Sequence, residues 1–326
     1  MGESFNIEIN PKTLAYAIDN SGYTPEELAD SIKSRFKVKY FDNEYLMNIL
    51  KGAISPKYTD LKKIDSFLKR GVPYYFLSNP PKDRLFVKFR NKYPDFKLSP
   101  SLEIKLRKYE LLREDIKDLC NLENIPFERT LSIYTLDDNP IEVAHELRNI
   151  LSFDNIDVKN LESKDVFKSI REKIEDKLIF VFKDDLEFLR GCIFIGDNLP
   201  TLILVNSTED KNGEIFTLLH EFAHFLLNNE EIDVDISKYE TDPKVEKWCN
   251  SFSYHFMMKD EDESKEKFIG KTKEKLLDSS YLANLSDKYK ISKLAFVYRF
   301  YLLKLISSED YHNYTNRFPY KQKRTS

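Results

Sequence analysis

The sequence predicts an α+β protein that is mostly helical. Short helices form the N-terminal domain, a helical connector follows, and the C-terminal domain is built on a small, mainly antiparallel sheet. Three observations lead there. Apolar residues recur at steps of three and four over most of the chain. Glycine is scarce, 8 residues in 326, which leaves few tight turns. Only one stretch, 177–206, breaks into short runs rich in β-branched and aromatic residues.

Four helices are expected in the first 80 residues. Pro11 to Ser21 is amphipathic and stops at Gly22. In "TPEELADSIK", Thr24 can cap, Pro25 fits the first helical position and Glu27 completes a capping box. A third helix, Asp42 to Lys51, ends at Gly52, a left-handed cap. The fourth runs from Thr59 to Arg70 and stops at Gly71. "YFLSNPPKD" then closes the domain, because consecutive prolines cannot continue a helix.

Residues 100–124 read as one long helix, with Leu102, Leu106, Tyr109, Leu112, Ile116 and Leu119 as its stripe. "NPIEVAHELRNIL" and "SKDVFKSIREKIED" give two more, and His145 in the first of them is an ordinary structural or surface histidine. After Lys177 come "LIFVF", "GCIFIG" and "TLILVN" as strands, the last two joined by "DNLP" as a hairpin or longer antiparallel link. A helix, "TLLHEFAHFLLNN", follows directly. Then come an acidic loop, a helix starting at Pro243 with Asp242 as N-cap, a last helical stretch "SKLAFVYRFYLLKL", and the basic tail "RFPYKQKRTS".

The length suits two domains with a connecting helical region. Hydrophobic content of 41% and charged content of 33% describe a soluble globular chain. The net charge of −4 argues neither for nor against a polyanionic partner. Cys120, Cys192 and Cys249 lie far apart, form no C-x-x-C pair and read as small core hydrophobes. The first residues show no basic segment followed by an apolar one, and no apolar run approaches the ~20 residues of a membrane span. The expectation is a cytoplasmic protein with no membrane contact.

Chemistry concentrates in "TLLHEFAHFLLNN". A helix turns roughly 100° per residue, so His220 and His224 project roughly 40° apart, a spacing that lets two ring nitrogens converge on one metal ion. Glu221 lies too far round to be a ligand, yet near enough to reach a water that the metal activates. In H-E-x-x-H peptidases this glutamate is the general base. The reading is one zinc ion per chain. A catalytic zinc needs a third protein ligand and an open fourth position. In "DPKVEKWCNSFSYHFMM", Val245, Cys249, Phe252 and Phe256 form the core stripe. Glu246 and Asn250 share another face, which places Glu246 toward the metal with Asn250 as its support; His255 is the rival ligand.

Together, "RGCIFIG", "LPTLILVN", "EIFTLLHEFAHFLL" and "VEKWCNSFSYHFMM" resemble the ImmA/IrrE family of zinc metallo-endopeptidases. That resemblance implies a zincin-like domain with His220, His224 and Glu246 as ligands, Glu221 as base, and Asn250 as the asparagine that follows the third ligand. Upstream, "TLAYAIDNSGYTPEELADSIK" and "SPKYTDLKKIDSFLKRGVPYYFLSNPP", with the following "FR", resemble the XRE-type helix-turn-helix often fused to these peptidases. The "VAHELRNIL" helix is similar to their connecting region. The implied domains are 1–80 (helix-turn-helix-like), 81–170 (helical connector), 171–312 (metallopeptidase) and 313–326 (basic tail). Three positions depart from the family pattern: Ala223 stands for its glycine, Ile215 for its arginine and Lys259 for its proline.

The resemblance also implies a partner. Characterised members cleave a transcriptional repressor, often encoded nearby, and so switch on stress, mobile-element or phage-defence genes. The alternatives are a DNA- or protein-binding regulator that uses the peptidase fold as a sensor, and a toxin–antitoxin-like partner without proteolysis. DNA contact through residues 1–80 would use Lys37, Lys39, Lys51 and Lys57. That segment holds 11 Lys and Arg against 10 Asp and Glu, a net of +1 rather than a clear basic face. "SRFKVKYF" is also longer than the usual turn between the second and third helices. For substrate, "TLILVN" is the candidate sheet edge for an added strand, with Asn206 near the cleft. Tyr254 and His255 could stabilise the oxyanion, and Arg299 is expected to pair with a carboxylate. Oligomeric state stays open.

Overall fold

The computed structural model describes residues 5–79, 98–196, 198–228, 232–233 and 243–317. The chain divides into two compact units, 1–112 and 113–326.

In the first unit α1 (Pro11–Asp19), α2 (Pro25–Phe36), α3 (Asn43–Leu50) and α4 (Tyr58–Leu68) lead into a 3-10 turn at Val72–Phe76. Local chemistry sets each boundary. Asn10 caps α1 ahead of Pro11, and Thr24 and Glu27 close the expected capping box on α2. Asp42 caps α3 by accepting from the Tyr45 N–H at 2.8 Å, and Gly52 at φ +70 ends that turn. The core is the shared apolar stripe of these helices, with Leu14, Ile18, Leu28, Ile32, Leu46 and Leu61 fully or almost fully enclosed. Six residues, 37–42, separate α2 from α3. Lys37, Lys39, Lys51 and Lys57 are exposed, whereas Glu44 and Asn43 are the exposed side chains of α3 itself.

The long helix α5 (Pro100–Leu122) contains the point at which the chain divides, between Leu112 and Arg113. Within the second unit follow α6 (Pro140–Ile150), α7 (Ser163–Glu175), β1 (Ile179–Asp184), β2 (Gly191–Phe194), β3 (Thr201–Asn206), α8 (Lys211–Leu226), β4 (Ile232–Asp233) and α9 (Pro243–Met257). The unit ends with α10 (Asp260–Glu266), α11 (Lys273–Leu276), α12 (Ser279–Tyr289), α13 (Lys293–Leu302) and α14 (Ser308–Arg317). Asp242, the acidic loop around it and the tail beyond Arg317 lie outside the described residues, as do Pro80, Pro81 and the "FR" that follows them.

The sheet is mixed, with strand order β1-β3-β2-β4. β1 runs parallel to β3 from Ile179↔Thr201 to Asp184↔Asn206. β2 and β3 form the expected antiparallel pair, Cys192↔Leu204 and Ile193↔Ile203, and β4 adds antiparallel to β2 at Gly191↔Asp233. One expectation is therefore corrected. "TLILVN" is an interior strand, hydrogen-bonded on both sides, and the sheet ends at β1 and the two-residue β4. Its burial explains why: from Leu202 to Asn206 every residue is enclosed, so the run is apolar because both faces are covered. Buried Arg113 holds the turn between β2 and β3, donating from Nε to the Pro200 carbonyl at 2.7 Å and from Nη2 to the Gly196 carbonyl at 3.0 Å.

Candidate metal centre

α8 begins where the Asp210 carboxylate accepts from the Asn212 and Gly213 N–H groups. From Gly213 to Leu226 every residue but Phe216 is buried, because α7, α9, β2 and β3 surround the helix. Its C-terminal end is held as well. The Leu226 carbonyl accepts from the Tyr134 N–H at 2.9 Å and from Arg129 Nη2 at 3.2 Å. The Arg129 guanidinium lies 3.9 Å from the centre of the Phe225 ring, and burial draws its pKa down to about 10.

On this helix His220 and His224 sit one turn apart. Their Nε2 atoms approach to 3.1 Å, with ring planes inclined at 69°. α9 crosses at the same level and brings Glu246, whose Oε2 lies 3.2 Å from His220 Nε2 and whose Oε1 lies 3.6 Å from His224 Nε2. The three residues are all buried, at 3%, 1% and 5% exposure. Among the described residues these are the His, Cys, Asp and Glu side chains whose ligand atoms come within 4.8 Å of one another in a group of three. It is Glu246, not His255, that joins the two histidines.

The donor set fits a metal ion. Two imidazole nitrogens and a carboxylate oxygen offer lone pairs and face each other in a dry place, which favours a cation at their centre. Tetrahedral zinc with bonds of about 2.0–2.1 Å separates its ligand atoms by about 3.3 Å, and one ligand atom from each of these residues comes within 4.8 Å of the others.

Glu221, fully buried, lies against β2. A Cβ added at Gly191 would stand 2.7 Å from its Oε1. Residues 174–301 match the family model described as the IrrE N-terminal-like domain, Peptidase_M78. That match supports a metallopeptidase-like function of the ImmA/IrrE type for the C-terminal region. No curated protein matches the chain. No helix among the described residues is long and apolar enough to cross a membrane.

The remaining candidates within the Peptidase_M78 region have other surroundings. Asn250, one turn beyond Glu246, is half-buried and lines a narrow cavity with Phe216, Tyr254, His255 and Tyr298. Tyr254 donates its hydroxyl to Glu263 at 3.2 Å, and Arg299 clamps the same carboxylate from Nε at 2.8 Å and Nη2 at 2.9 Å, so Arg299 pairs as expected. His255 is 2% exposed with Nδ1 3.5 Å from Asp260 Oδ1; burial first and Arg299 second draw its pKa down to about 4. His145 is half-buried, 3.8 Å from the same Asp260.

Asn206 is fully enclosed. Its Nδ2 donates to the Glu187 and Leu189 carbonyls, and its Oδ1 accepts from the Leu186 and Thr208 N–H groups. It staples the loop between β1 and β2. In the sequence Arg190, Gly191 and Thr217 stand only within the quoted motifs, with no role of their own, and Glu209 carries no signal. A glycine inside a strand was the available signal, since it marks a close approach.

Proposed function

We propose that the C-terminal region is a zinc-dependent endopeptidase, in which His220, His224 and Glu246 hold the ion and Glu221 is the general base. The observation that carries this is the convergence of three buried lone-pair donors within 4.8 Å of one another, two on α8, which also presents Glu221, and one on α9. Zinc at that point would supply Lewis acidity, polarising the scissile carbonyl and drawing the pKa of a water toward ~7.

The chain's own residues do the rest. Glu221 takes the proton of the attacking water on its carboxylate and returns it to the departing amide nitrogen, which needs a carboxylate held in one place. Phe216 beside His220, and the apolar side chains around α8, exclude bulk water and so strengthen each charge interaction inside. The substrate we propose is a transcriptional repressor or partner regulator, encoded nearby, whose cleavage switches on stress, mobile-element or phage-defence genes. Residues 1–80 are proposed as a helix-turn-helix-like recognition module.

The test uses full-length wild type and Glu221→Gln. Both are expected to bind about one zinc per chain, and only wild type should cut the repressors encoded beside the gene. Zinc binding without cleavage of any of them would count against the peptidase reading and favour a sensor. Absence of zinc from both would remove the basis of the proposal.

A further inference from the structure

Gly191 opens β2 in ordinary extended pairing, opposite Val205 of β3 on one side and Asp233 of β4 on the other. What it contributes is space. A Cβ there would stand 2.7 Å from Glu221 Oε1, 3.0 Å from Glu221 Cγ and 2.8 Å from Thr217 Cγ2. Such separations do not occur between real side chains without a shift. Thr217 and Glu221 are one turn apart on α8, so both turn the same face to this strand.

Thr217 is itself held. Its Oγ1 donates to Glu209 Oε2 at 2.7 Å, while Glu209 Oε1 lies 3.9 Å from Nε of Arg190, the residue that precedes Gly191. Thr217 is 3% exposed and Glu221 not at all.

We propose that Gly191 and Thr217 are positioning residues for Glu221. Gly191 leaves the gap in which the glutamate stem lies, and Thr217, tethered through Glu209, closes that gap from the preceding turn of α8. The base is then confined by a doubly paired strand and a buried helix rather than by a loop. A displacement of about 1 Å at such a group costs about 100-fold in rate. The inference rests on the peptidase reading, but its geometric part does not.

The experiment uses the full chain loaded with zinc, with a mixture of quenched fluorescent peptides as the probe. Gly191→Ala should keep the metal content of wild type, lose about 100-fold in kcat and change KM by less than about twofold. Thr217→Val, which removes the tether without adding volume, should lose about tenfold in kcat, again with metal retained. Adding Thr217→Ser to Gly191→Ala should recover part of the lost rate, because it removes one of the two obstructing groups. Unchanged kcat in Gly191→Ala and Thr217→Val would overturn the proposal. Should Gly191→Ala fail to fold, Thr217→Val decides the kinetic arm alone.

A melting cycle reads the contact without any activity. Gly191→Ala should lower Tm in wild type and lower it less in a Glu221→Ala background, where the carboxylate is gone. Equal losses in the two backgrounds overturn the contact. A wild type that binds zinc and cuts none of the peptides counts against the peptidase reading, while the melting cycle still decides the role of Gly191.

Discussion

Two fully or almost fully buried polar centres in this chain have opposite characters. In the N-terminal unit Asp60, at 0% exposure, accepts from the Tyr40 hydroxyl at 2.8 Å, the Tyr45 hydroxyl at 3.0 Å and Lys63 Nζ at 2.7 Å. Burial first, and then the bond to Asp60, pushes the Tyr45 phenol above its usual range. In the C-terminal unit His220, His224 and Glu246 turn their ligand atoms on one another. Burial alone does not separate a structural site from a functional one. A carboxylate ringed by donors completes its own hydrogen bonding, whereas two imidazoles and a carboxylate converging on one point form the donor set of a metal site.

The largest expected effect breaks that comparison at the metal centre. In the proposed zinc site His224→Ala should abolish tight zinc binding, because it leaves two of the three proposed ligands, and metal analysis checks it. Chelation of the wild type should remove about 4 kcal/mol of stabilisation at metal concentrations about 1,000 times Kd. Hydrogen exchange should then rise along 217–226 and stay unchanged along 58–68. Protection lost equally in both segments would contradict the contrast.

Next comes the other side. Asp60→Ala removes three hydrogen bonds to a buried carboxylate, while Lys63 keeps its bond to Tyr40, and should cost about 2–3 kcal/mol in urea unfolding, with zinc content unaltered. Asn206→Ala should cost about 2 kcal/mol for the same reason, because its amide secures the loop before β2.

A smaller effect is a pH dependence. His255 stays neutral in the fold down to about pH 4, whereas an unfolded histidine takes its proton near ~6.5. Between those values the unfolded chain binds more protons, so stability falls as pH drops from ~6.5 toward ~4. His255→Gln should flatten part of that fall in denaturant titrations at pH 7 and 5. The smallest effect is on the surface. Lys39→Ala, at an exposed position, should move stability by less than about 0.5 kcal/mol.

The sequence by itself determined helices α1 to α9 with α13, the Thr24 cap and the spacing of the two histidines, but not α10, α11, α12 or α14. Those features are local: the Thr24–Glu27 box, Gly52 after α3 and the four-residue step from His220 to His224 depend only on neighbours along the chain. It also placed Glu246 on a helix face apart from the core stripe, where it meets the two histidines, although spacing alone left His255 in play. The tertiary structure decided what depends on distant segments. An apolar run such as "TLILVN" reads the same at an edge or in the middle of a sheet, and only the pairing of β3 with both β1 and β2 shows it to be interior. Asn206 faces the loop it staples for the same reason. The meaning of Gly191 came last, since a missing side chain acquires a role only when another residue, here Glu221, is folded into the space it leaves.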